Sequence, residues 1–133
     1  MSEQSMPDCT AVKIKSHRDL VVWQKAMALA VEIYRLSSRF PREEMYRLVS
    51  QITRAAASVP ANIAEGHARG TARDYANFLS IAKGSLMEIE TFVMLAIELK
   101  YITREEAEGA LSLITEVSKM LTVLRTRVLS RAE

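Results

Sequence analysis

Between Leu20 and Val128 apolar residues recur at steps of three and four, and three short breaks interrupt that rhythm: Phe40-Pro41, the stretch from Gly66 to Gly70, and Tyr101-Ile102. Such spacing is the mark of α-helices that turn one face to a core. No strand-like alternation competes with it. Breaks this short force consecutive helices to fold back as antiparallel neighbours. The sequence therefore predicts an all-α chain, an up-down-up-down antiparallel four-helix bundle over residues 18–129. Residues 1–17 read as a disordered leader and 130–133 as a C-terminal tail. Lys13, Lys15, His17 and Arg18 form a small basic cluster in the leader, read as a solvated tail.

Local signals place the helix ends. The first helix is expected from an N-cap at Asp19 to about Arg39. Leu20, Trp23, Met27, Val31 and Tyr34 form its stripe, and Val22, Ala26, Leu29, Ile33 and Leu36 widen it. Phe40 ends that helix because a residue before proline is pushed out of the α region. Pro41 can then open the second helix, with Glu43 and Glu44 favourably placed at its N-terminal dipole. Met45, Leu48, Val49, Ile52, Ala56, Val59 and Ile63 point inward there. Thr71 caps the third helix, with Asp74 in a capping-box-like position, and that helix runs to about Lys100. Thr103 caps the fourth, where Ala110, Ile114, Val117, Leu121, Leu124 and Val128 make a heptad-like seam.

The second helix carries the most unusual feature, Pro60 in the interior of an alanine-rich stretch, SQITRAAASVPANIAEG. Proline there removes a backbone hydrogen bond to Ala56 and crowds that carbonyl, at roughly 3 kcal/mol. A tolerated cost of this size points to a kink made for a reason. Asn62 is placed to reach a carbonyl freed by the proline. Arg47, Gln51, Arg54, Ser58, Asn62, Glu65 and Arg69 fall on one polar stripe. Two explanations stay open for it. One is an internal network, with Glu65 paired to Arg69 and Arg54 to a carboxylate such as Glu88. The other is a phosphate-binding face of Arg47, Arg54, Arg69, Arg73 and Lys83. Aromatic residues interleaved with these arginines, which would favour nucleic acid, are absent from the stripe.

Bulk composition bounds the rest. Eighteen basic and sixteen acidic residues leave a net charge of +2, which by itself does not argue for nucleic acid. The distribution is more suggestive, since Lys119, Arg125, Arg127 and Arg131 face only Glu133 at the C-terminal end. The single cysteine, Cys9, cannot form an internal disulfide, so a reducing, cytoplasmic setting fits. No apolar signal region is visible, and the unbroken apolar run Phe92 to Ile97 is far short of the ~20 residues that span a bilayer. That same run covers nearly the whole circumference of its helix. A small bundle cannot bury every face of a helix, so self-association is expected.

Catalytic and metal chemistry lack their residues. His17 and His67 complete no Glu-x-x-His pair of a di-metal bundle, and Glu88 and Glu90 point about 200° apart on a helix. Gly66, Gly70 and Gly84 fit no phosphate-cradling loop. Neither catalytic residues, nor a metal site, nor a cofactor is expected, and the chain is not read as an enzyme.

Three segments together resemble a known family: DLVVWQKAMALAVEIYRLSSRFPREE, SQITRAAASVPANIAEG and FLSIAKGSLMEIET. This is the bacterial four-helix-bundle family encoded in intervening sequences of large-subunit ribosomal RNA genes, some members of which carry a ribosomal-protein label. The resemblance covers residues 18–128. It rests on Arg54, Ala55, Ser58, Pro60, Asn62, Ala64, Glu65 and Gly66, with Gly84, Ser85 and Glu88 in the third helix. Thr53 stands where members commonly have a basic residue. The resemblance implies a cyclic homopentamer. It also implies a fold similar to the accessory protein of diversity-generating retroelements, and hence contact with RNA or DNA. A protein-interaction scaffold with structural arginines is the alternative, and shared fold does not decide between the two.

Overall fold

The computed structural model describes residues 14–131. Four helices account for most of them: α1 (Val21–Ser37), α2 (Leu48–His67), α3 (Ala72–Glu98) and α4 (Arg104–Arg131). Each helix packs against the next and α4 returns to α1, so α1 and α3 occupy opposite corners, as do α2 and α4. The direction alternates. Ser58 of α2 meets Ser85 of α3, and Arg39 at the end of α1 pairs with Glu106 at the start of α4. The result is the antiparallel four-helix bundle that the spacing predicts.

The core is one cluster of aliphatic side chains, with Leu29, Ile33, Ile52, Val59, Leu79, Leu86, Ile114 and Leu121 fully buried. Burying a side chain of this size stabilises by about 1.5–3 kcal/mol, which is what holds the helices together. The seam of α4 is as expected, except that Leu124 is only partly buried. In α1 the two apolar stripes exchange roles. Val22, Ala26, Leu29, Ile33 and Leu36 are the buried set, whereas Met27, Val31 and Tyr34 are exposed and Trp23 is half-buried. Both stripes have helical spacing, and only the position of α2 and α4 selects between them. Met45 is likewise exposed.

The caps are partly those expected. The Thr71 hydroxyl accepts from the Asp74 N–H at 3.1 Å. Thr103 and Glu106 cap each other reciprocally, at 3.1 and 2.9 Å. Asp19 is not the N-cap of α1; Leu20 is, with no side-chain cap. Asp19 closes a capping box on the preceding 3-10 turn His17–Asp19, where its carboxylate accepts from the backbone of Lys15 and Ser16. After Pro41, residues Arg42–Glu44 form a separate 3-10 turn, and α2 starts only at Leu48. At the end of α3, Lys100 adopts φ 66°, and the N–H groups of Lys100 and Tyr101 return to the carbonyls of Ile97 and Ala96. This is a Schellman stop with lysine in the left-handed position usually given to glycine. The leader lies mainly outside the described residues, as do Cys9, Lys13 and the final two positions.

Candidate nucleic-acid interface

The conspicuous segment of α2 serves first to bring α2 and α3 together. The helix runs unbroken through Pro60, which is buried with Ala55, Ala56, Val59 and Ile63. The Ser58 and Ser85 hydroxyls stand 2.8 Å apart. Asn62 donates its amide to the Ser58 carbonyl at 2.8 Å and to the Ser58 hydroxyl at 2.9 Å. The amide thus bonds the carbonyl one turn back rather than the Ala56 carbonyl left by the proline. At Gly66 a Cβ would stand 2.8 Å from the Cβ of Phe78. Ser58 and Gly66 thus serve the close α2–α3 contact, Asn62 braces Ser58 within α2, and Pro60 is buried.

Of the five basic residues singled out from the sequence, only Arg69 and Arg73 come to one place, the α2–α3 turn. Arg47 sits at the N-cap of α2, 3.5 Å from Glu44, and donates to the Glu43 carbonyl. Arg54 is exposed and meets no carboxylate among the described residues, so its expected pairing with Glu88 is not formed. Lys83 turns toward α4 and donates to the Thr122 hydroxyl at 2.7 Å. Arg69 pairs with Glu65 at 2.8 Å, as the i,i+4 spacing predicts. Arg73 is exposed in the first turn of α3. At 1.5 Å per residue, Arg47 and Arg69 lie about 33 Å apart along α2.

A different cationic set assembles at one end of the bundle. Alternating helix direction places the start of α1, the α2–α3 turn and the end of α4 together there. Arg18, Arg69, Arg73, Arg125, Arg127 and Arg131 are all exposed at this end. Proximity across the elements is visible in Tyr75, whose phenol is pushed up by burial while Arg131 partly opposes the shift. The acids here are few and largely engaged. Glu65 holds Arg69, and the backbone N–H groups of Lys15 and Ser16 hold the Asp19 carboxyl below the ordinary carboxylate range. Asp74 occupies the first turn of α3.

Helix stability accounts for only part of this charge. Arg127 and Arg131 complement the negative end of the α4 dipole, as arginines near a C-terminus do. Arg73 lies at the positive N-terminal end of α3, where a cation is unfavourable. The opposite end differs. There Arg39 pairs with Glu106 and Arg47 with Glu44, and Glu43, Glu98, Glu105 and Glu108 offset the exposed Arg42, Lys100 and Arg104.

Aromatic residues, missing from the α2 stripe, are supplied by α3. The Arg69 guanidinium lies 4.7 Å from the Phe78 ring centroid. His67 and Tyr75 meet edge to face at 5.9 Å. Sequence inspection along one helix could not show this, because the turn at Gly70 folds residues of α3 against α2. The signal available in the sequence was the cationic bias after Lys119.

Beside this end, an open groove of about 320 Å³ runs between the start of α1 and the end of α4. Leu20, Val21, Val22, Met120, Val123 and Leu124 line it, with Lys119 and Arg127 as its charged walls. Among the described residues no group of three or more His, Cys, Asp or Glu is placed to hold a metal ion. No described helix is long and apolar enough to cross a membrane.

Comparison with known proteins gives one family. The family model described as 23S rRNA-intervening sequence protein matches residues 18–123. A crystal structure at 1.70 Å from Bacteroides thetaiotaomicron, of a protein with unknown function from the S23 ribosomal protein family, is similar at 31% identity and a TM-score of 0.71. The match covers 79% of this chain and 98% of that one. No curated protein matches this chain significantly.

Proposed function

The chain belongs to the 23S rRNA-intervening sequence protein family, and from that premise we propose that it is a non-enzymatic, self-associating bundle that binds nucleic acid, RNA before DNA, through its cationic end. The observation that carries this is Arg73, exposed in the first turn of α3 where it opposes the helix dipole, at the same end of the bundle as the exposed Arg18. Joined by Arg125, Arg127 and Arg131, they offer exposed guanidinium groups to a phosphate backbone. Guanidinium forks suit phosphate oxygens, and binding of this kind releases counterions.

Self-association is supported by the surplus apolar surface. Val31 and Tyr34 of α1 and Ile81 and Leu95 of α3 are exposed at opposite corners of the bundle. Two different apolar faces joining copy to copy make a head-to-tail contact, which closes into a ring or runs on as a filament. Gly84 lies in the outer part of α3 with no atom within 4 Å of a Cβ built there. Glycine inside a helix costs about 1 kcal/mol relative to alanine, so close approach by a second copy is the reason offered for it. A homopentamer is the assembly proposed.

Anisotropy titrations against structured RNA and duplex DNA, at low and physiological salt, test the nucleic-acid half, with light scattering on the same sample for mass. The expected result is an oligomer whose RNA affinity falls steeply with salt. Arg127→Ala with Arg131→Ala should lower the slope by about two, one for each phosphate contact removed. An oligomer that binds neither polymer would instead favour a scaffold for a protein partner, a reading that the exposed apolar faces also suit.

A further inference from the structure

Arg69 is held from two sides. Its guanidinium carbon lies over the Phe78 ring, 4.7 Å from the centroid, and Glu65 accepts from its Nη2 at 2.8 Å. The side chain is still 44% exposed. Gly66 makes this possible, because only a bare Cα there lets Phe78 come so close to α2. The Glu65 carboxylate neutralises Arg69 locally and would repel a phosphate, which makes this the least suitable arginine of the cationic end for the backbone. Its open face suits a different group. An unpaired nucleobase is flat and apolar on its faces, and such bases stack on aromatic rings and on guanidinium planes.

We propose that the outer face of Arg69 is a stacking platform for one unpaired base of a bound RNA, with Arg73 and Arg131 holding the phosphates beside it. This rests on the reading that the cationic end binds RNA, and adds to it a preference for a bulged strand over a continuous duplex. Arg69→Lys separates the two, because it keeps the charge and the partner Glu65 but has no plane to stack on.

The test is an anisotropy titration of the full chain with two labelled RNA duplexes of equal charge, one continuous and one with a single unpaired purine, each at two salt concentrations. The native protein should bind the bulged RNA about tenfold more tightly, the worth of one stacked base. Arg69→Lys should abolish that preference and leave the continuous duplex within about twofold of native. Equal native binding to both RNAs with a steep salt slope would overturn the platform and leave the cationic interface standing. Equal loss on both RNAs in Arg69→Lys would overturn it, because the contact removed would then not depend on an unpaired base. Binding to neither RNA would overturn both readings.

Discussion

Gly66 faces Phe78 across the α2–α3 contact with no room for a methyl group: a Cβ at Gly66 would stand 2.8 Å from the Phe78 Cβ and 3.2 Å from the Tyr75 carbonyl oxygen. Neither obstacle is the free end of a flexible side chain. Replacing a helical glycine by alanine ordinarily gains about 1 kcal/mol, whereas overpacking a filled contact costs about 1–3 kcal/mol. Gly66→Ala should therefore be destabilising, lowering the thermal midpoint by about 4 °C for each kcal/mol lost. A midpoint that rose would show that α3 can move aside.

The pair Glu44 and Tyr101 ties the turn before α2 to the turn after α3, with a phenol-to-carboxylate hydrogen bond of 2.7 Å. That bond is the main reason the Glu44 carboxyl lies below its ordinary value and the main reason the Tyr101 phenol lies above its own. The signs follow. A lowered carboxyl contributes stability above its ordinary value of 4.5, lost as pH falls through the lowered one. A raised phenol contributes stability below its ordinary value of 10.0, lost as pH climbs through the raised one. Tyr101→Phe should flatten both limbs of a plot of thermal midpoint against pH. Unchanged limbs would mean that other groups set them.

Assembly through the outer faces of α1 and α3 predicts that a charge there separates the copies without unfolding them. Val31 is 52% exposed and Leu95 44% exposed, so neither is needed to fill the core. Val31→Glu and Leu95→Glu should each reduce the light-scattering mass toward the 14.9 kDa of one chain, with helical circular dichroism retained. Native mass in both variants would move the contact elsewhere.

Lys100 occupies a left-handed conformation at φ 66°, which costs an L-residue with a Cβ about 1–2 kcal/mol. Lys100→Gly should recover about 1 kcal/mol, visible as a raised denaturant midpoint with unchanged slope. A lowered midpoint would mean that the lysine side chain is needed for a contact of its own.

What the sequence disclosed followed the range of each interaction. Thr71 and Thr103 cap groups three residues away, so their roles are written locally. The two stripes of α1 have the same period, and which one is buried depends on where α2 and α4 lie, so Trp23, Met27, Val31 and Tyr34 were indistinguishable from core. The stop at Lys100 lacks the glycine that would announce it. The cationic end is the clearest case, because Arg18, Arg73 and Arg131 are distant in sequence and come to the same end only through the alternation of helix direction. The α2 stripe looked like one surface, yet its length separates Arg47 from Arg69, and its Ser58 meets α3 while its Asn62 braces that serine.

The most direct measurement is the position of bound RNA on the protein, by ultraviolet cross-linking and peptide mass spectrometry on the native oligomer. A cationic-end interface predicts cross-links in the α2–α3 turn, around His67 to Phe78, and in the last two turns of α4. Cross-links concentrated around Arg47 and Arg54, or none at a concentration that saturates binding, would contradict it.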